Sequence, residues 1–169
     1  VFGDSNQAFG TYRSAMKAIE SVDGVVATAP ALVRQAYLLD EHGDNQTGVL
    51  IKAIDPELEP NVTGIGEYVK GELTFDSPLI KVAQNRTSDT IFGGIILGKG
   101  VARKLEVGEG DIIRLISRLV ETPGGLQPVI RTFVVIGEYD SGMYTYDSSL
   151  AFLSLEKGQE LYDVFDAVD

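Results

Sequence analysis

The alternation of apolar and polar positions is clearest between Gly93 and Leu155. Ile95-Ile96-Leu97 is a short apolar strand, and Gly98 opens a helical turn in which Val101, Ala102 and Leu105 share one face. Two glycines within three residues make Gly108-Glu109-Gly110-Asp111 a turn. Ile112 to Leu119 and Val129 to Glu138 follow as two longer strands, and their β-branched alternation defines a register. The intervening Val120-Glu121-Thr122-Pro123-Gly124-Gly125-Leu126-Gln127-Pro128 is too long for a two-residue turn. Its two prolines and two glycines predict a tip that projects beyond the sheet rather than pairing within it. Leu150 to Leu153 is a further strand, and Ser154 caps a last helix whose apolar side is Leu155, Leu161, Tyr162 and Phe165.

Upstream, Asp4, Ser5 or Asn6 caps a helix from about Gln7 to Val22, with Ala8, Phe9, Tyr12, Ala15, Met16, Ile19 and Val22 on one stripe. Asp23-Gly24 ends it. Val25 to Leu39 is extended chain interrupted at Pro30, Asp40 to Gln46 a polar loop, and Thr47 to Ile54 a second strand, together a long hairpin. Leu58 to Phe92 is the least informative stretch. It offers a short element at Tyr68 to Leu73 and a helix opened by Ser77-Pro78 that runs to about Ala83.

Length and charge narrow the function classes. The chain has 169 residues, enough for one domain or two small lobes, and its 44% hydrophobic content argues against disorder. No apolar run reaches the length of a membrane span. Val1-Phe2-Gly3-Asp4-Ser5 has no basic or apolar pre-segment, so no signal peptide is expected, and a start on valine without methionine points to an excised fragment. With no cysteine there is neither a disulfide framework nor a thiolate metal site. A net charge of −11 disfavours nucleic acid and anionic lipid as ligands.

Candidate chemistry is sparse. Gly98-Lys99-Gly100 follows a strand and opens a helix, but a phosphate loop needs different glycine spacing and a hydroxyl where Gly100 stands. His42, the one histidine, has no second histidine to form a metal pair. Asp140, Ser141, Asp147 and Ser148 cluster around Gly142 without an adjacent base or the alternating oxygens of a calcium loop, which leaves turn-forming roles. Asn45, Asn61 and Asn85 head glycosylation acceptor triplets. Met143, Tyr144 and Tyr146 follow a strand end and a glycine. They are either interface anchors or a cover over the core.

The sequence LGKGVARKL-VGEGD, then a hairpin, then VIGEYDSGMYTYDSSLAFLSLEKGQEL resembles the extracytoplasmic domain of lipoprotein-releasing ABC transporter permeases of the LolC/LolE type, relatives of the MacB-like permeases. The likeness is specific from Gly93 to Leu161, looser from Val25 to Glu57 and absent between Leu58 and Phe92. Ile54-Asp55-Pro56-Glu57 resembles the family's Gly-Ile-Asp-Pro signature, with Ala53 where the family usually has glycine. Alanine there argues against a close backbone approach.

The resemblance implies an α+β, two-lobed MacB-like periplasmic core domain. Residues 1–57 and 148–169 would form a porter-like α/β lobe. Residues 58–147 would form a small β-rich lobe carrying a projecting hairpin, 112–138. The helix near each terminus would bring both ends to one side. The implied parent is a bacterial inner-membrane permease whose periplasmic domain helps to extract lipoproteins and pass them to a periplasmic carrier. Its further partners would be a second permease subunit and a cytoplasmic ATPase, with no catalysis and no cofactor in this domain. In the carrier-recruiting member of the family a protruding hairpin in this interval hooks the carrier. That makes Leu119, Val120, Glu121, Thr122, Pro123, Gly124, Gly125, Leu126, Gln127 and Pro128 the expected partner-binding tip, with an ordinary loop as the alternative. Met143, Tyr144 and Tyr146 are a second candidate contact. A MacB-like efflux domain, an FtsX-like signalling domain and a free two-lobed enzyme or binding protein remain open.

Overall fold

The computed structural model describes residues 12–169. Helix α1 (Tyr12–Glu20) precedes strands β1 (Ala31–Asp40) and β2 (Gln46–Ile54), which pair antiparallel from Ala31↔Ile54 to Leu39↔Gln46. The segment after β2 holds a short helix α2 (Pro60–Thr63), a 3-10 turn (Ile65–Glu67) and helix α3 (Pro78–Gln84). Then come β3 (Ile91–Gly98), α4 (Lys99–Leu105), β4 (Ile112–Thr122), β5 (Gly125–Tyr139), α5 (Tyr144–Asp147), β6 (Leu150–Ser154) and α6 (Leu155–Tyr162).

The six strands close into one mixed barrel in the order β1-β2-β6-β3-β5-β4. β2 with β6 and β3 with β5 are parallel, and the remaining pairs are antiparallel. Alternate residues of every strand point inward. Leu32, Ile51 and Leu153 thus meet Leu97, Leu115 and Phe133 in one core, closed by Val101 and Leu105 of α4 and Leu161 of α6. The expected two lobes are therefore the two halves of one barrel. β1, β2 and β6 come from the first and β3, β4 and β5 from the second. They are sewn together at Leu97↔Ala151 and Tyr37↔Ile116 around a common core.

Local expectations hold where a cap or a hydrophobic face drives them. The Ser77 hydroxyl accepts from Leu79 N at the start of α3, and Ser154 from Lys157 N at the start of α6. Three expectations need correction. β1 begins only after Pro30, so residues 25–30 are not strand. Tyr68 to Leu73 contributes a single bridge, Val69↔Tyr139. Helix α6 stops at Tyr162, where Asp163 takes a left-handed cap, so Phe165 lies outside it and is 91% exposed. The proposed caps Asp4, Ser5 and Asn6, with Gln7, Ala8 and Phe9, lie outside the described residues.

The first and last described segments meet. Arg13 of α1 pairs with Asp166, while Tyr12 and Val168 share the main core. None of the described helices is long and apolar enough to cross a membrane.

Candidate partner-binding site

β4 and β5 outgrow the barrel. β1 accompanies β4 only from Asp40↔Ile113 to Tyr37↔Ile116, and β3 joins β5 only from Ile91↔Thr132 onward. Between these limits the two strands pair with each other alone, from Arg118↔Val129 through Leu119↔Pro128, Val120↔Gln127 and Glu121↔Leu126 to Thr122↔Gly125. The tip therefore projects, as expected, but as a fully paired ribbon on the order of 15 Å long at 3.3 Å per residue. The expectation that residues 120–128 lie outside any ladder is corrected. Pro123-Gly124 is the whole turn, and Gly125 supplies the positive φ, 103°, that a right-twisted hairpin needs there. The Thr122 hydroxyl donates to Gly125 O at 2.8 Å and locks the turn. Pro128 is tolerated because β5 has no second neighbour at that point to receive an N–H.

Register decides what the ribbon presents. Opposed residues share a face, so Leu119, Pro128 and Leu126 lie together with Glu121 on one side. A bulge beside Ser117 lets the same side continue onto the paired Ile116 and Ile130. Leu119 is 61% exposed, Leu126 69% and Ile130 44%, an unusual run of uncovered aliphatics on adjoining strands. Toward the barrel this face is roofed by α3, whose Leu79, Ile80 and Ala83 pack with Ile112 and Val134, but α3 reaches no further. The opposite side carries Arg118, Val120, Gln127, Val129 and Arg131. Residues 112–131 hold three arginines and one glutamate, a basic island on a protein with 25 acidic and 14 basic side chains.

Direction follows from pairing as well. β1 starts beside the C-terminal residues, with Asp169 N donating to Ala31 O, and β4 runs antiparallel to β1. The ribbon thus emerges at the barrel end where α1 and the C-terminal residues lie. The Arg118–Asp163 pair, 3.9 Å apart, spans that corner.

The second candidate contact is on the surface but elsewhere. Met143, Tyr144 and Tyr146 are exposed, on and beside α5, at the far end of β5. On the order of 40 Å of strand separates them from Leu126, so the fold does not bring the two sets together. Tyr146 instead borders a groove of about 370 Å³ with Tyr68, Tyr139 and Phe152.

The motifs set aside on chemistry have structural work. A Cβ on Gly98 would lie 2.4 Å from Asp147 O, and one on Gly100 2.8 Å from Ser148 Cα, so the glycines let α4 press against the end of α5. Asp147, buried, accepts from the Ser141 backbone N–H and hydroxyl at 2.9 and 2.7 Å. The Asp140 carboxyl is held below its ordinary range, chiefly by the hydrogen bond from Lys99 at 2.6 Å, against a smaller opposing effect of desolvation. In the loop with His42, Asp40 is also lowered. Desolvation opposes this, and the backbone N–H groups of Asn45, Gly43 and Asp44 with the Asn45 side chain outweigh it. No cluster of metal-ligating side chains occurs among the described residues. Pairing of the ribbon to its tip was missed in the sequence because Pro128 and the glycines mask strand character there. The alternation Leu126, Pro128, Ile130 was the available signal.

No protein-family model matches the chain. Over 154 residues, 89% of the chain, it is 30% identical to the lipoprotein-releasing system transmembrane protein LolC of Neisseria meningitidis serogroup B. Over 138 residues, 81% of the chain, it is 28% identical to LolC of Xylella fastidiosa. The chain spans about a third of these relatives, 34% and 30% of their lengths. Among solved structures, the extracellular domain of the noncanonic ABC-type transporter YknZ from Gram-positive bacteria aligns with a TM-score of 0.56. The alignment covers 98% of this chain and 71% of that one at 14% identity, a likeness of fold. By sequence over most of its length this chain is similar to the LolC lipoprotein-releasing transmembrane proteins, and by fold over nearly all of it to an ABC transporter extracellular domain.

Proposed function

We propose that this chain is the periplasmic domain of an inner-membrane ABC permease that releases lipoproteins, and that the β4–β5 ribbon is where a soluble periplasmic carrier docks. One observation carries the reading: a rigid, fully paired ribbon leaves the barrel with its aliphatic face uncovered. Such a face has no core to serve, and burying Leu119 and Leu126 against a partner would contribute roughly 1.5–3 kcal/mol each. Pairing to the tip and the two prolines mean that little conformational freedom is lost on docking. The fitting partner has an apolar recess for the Leu119–Leu126 face and acidic groups near Arg118 and Arg131. A carrier that shelters acyl chains has the first by necessity.

In this reading the domain performs no bond chemistry. ATP hydrolysis belongs to a separate cytoplasmic subunit, and a second permease subunit completes the complex. The names of the relatives, lipoprotein-releasing system transmembrane proteins, support the reading of a lipoprotein-releasing permease.

The test trims the ribbon. Replacing residues 119–128 with Asn-Gly joins Arg118 to Val129 by a two-residue turn and leaves the barrel intact. The melting temperature should move by no more than about 4 °C, and the carrier should no longer be retained. Carrier binding at full strength by the trimmed chain would exclude the ribbon as the docking site.

A further inference from the structure

The barrel is closed by strand pairing over only part of the β1–β4 seam. After Tyr37↔Ile116 the strands separate, and the upper edge of β1, from Ala31 to Ala36, loses its neighbour. The C-terminal residues fill that place. Asp169 N donates to Ala31 O at 3.1 Å, and the Asp169 carboxylate accepts from Val33 N at 2.6 Å. Arg34 reaches both of its oxygens at 2.5 Å. Just before it, Ala167 and Val168 are buried, and Gln159 of α6 donates to Ala167 O at 3.0 Å. On the other flank Asp163 faces Arg118, the first ribbon residue beyond the barrel. One strap, residues 163–169, thus touches the free edge of β1 and the root of the ribbon.

We infer that this strap is a tether that sets the ribbon's angle to the barrel, with Arg34 and Asp169 as its release point. Along Ala31 to Ala36 this seam is held by side-chain and tail contacts instead of a continuous ladder, so a small change there opens the wall. Displacing Asp169 strips β1 of two backbone partners at once. It also draws Asp163 away from Arg118, which frees the ribbon root. The inference rests on the permease reading, in which the chain continues from this end toward the membrane. Tension on the strap would then reorient the docking ribbon.

The chain lacks cysteine, so spin labels can be placed at will. A pair at Gly124, in the turn, and Glu156, exposed on α6, reports the ribbon angle by electron–electron distance measurement. Amide hydrogen exchange reports the seam. Arg34→Gln is expected to broaden the distance distribution. It should also speed exchange at Leu32 to Ala36 and Arg118 to Val120 by about tenfold or more, since a charge-assisted bond is lost, while β3 and β6 stay protected. If Arg34→Gln unfolds the chain, Arg118→Gln, which cuts only the link between strap and ribbon, should broaden the distances with β1 exchange unchanged. A distance distribution identical to that of the unaltered chain in the folded variants would overturn the tether. Neither readout involves carrier or membrane, so that result would leave the docking reading untouched.

Discussion

The methyl group of Ala53 occupies the space that a side chain on Gly158 would require. A Cβ built on Gly158 would stand 2.2 Å from the Cβ of Ala53. Helix α6 therefore lies directly on β2, and the glycine that permits this sits on the helix, not on the strand. Alanine at position 53 does not prevent close approach, contrary to the sequence expectation, because the partner position gives up its side chain.

Gly158→Ala should destabilise the chain. Alanine favours the helix by about 1 kcal/mol, but a contact of this kind inside a packed core costs more, about 1–3 kcal/mol net. Ala53→Gly alone should cost about 1 kcal/mol in the strand. The double variant should recover most of the loss, a coupling that urea denaturation of the four chains measures directly. Additive losses would show that the two positions do not share one space.

Glu59 is 2% exposed, and its carboxylate is held by Lys52 and by the Thr63 hydroxyl at 3.1 Å. Lys52→Met would leave that charge buried with a single neutral donor. The expected loss is about 3–5 kcal/mol, of the size found when one member of a buried pair is removed. Lys52→Met with Glu59→Gln should restore part of it, measured by the same denaturation.

The Tyr162 phenol is pushed up to about 12 by burial, with the nearby Arg34 charge pulling the other way. A raised folded value means that folding favours the neutral phenol. Its contribution is whole below the unfolded value near 10 and is lost as pH rises through about 12. Stability should fall over that window, and Tyr162→Phe should flatten the fall. An unchanged pH profile in the variant would mean that other groups govern it.

How much of this was legible in the sequence depended on whether the deciding physics was local. The caps at Ser77 and Ser154, the face Val101–Ala102–Leu105 and the turn before Ile112 rest on neighbouring residues and were read correctly. Closure of the barrel was not visible. Tyr37↔Ile116 and Leu97↔Ala151 join residues 79 and 54 apart in the chain, and no local pattern encodes such pairs. The candidate tip was found by its place between two strands. Its two faces became readable only once the bulge beside Ser117 fixed which side chains stand together.

The central claim is that the aliphatic face of the ribbon binds the carrier. The direct measurement is the affinity of the purified chain for the carrier by titration calorimetry, comparing Leu119→Ser/Leu126→Ser with Val120→Ser/Gln127→Ser on the opposite face. The account predicts a loss of roughly 100-fold or more for the first pair, less than about threefold for the second, and melting temperatures within about 4 °C of the unaltered chain for both. Full affinity in the Leu119→Ser/Leu126→Ser chain would contradict it.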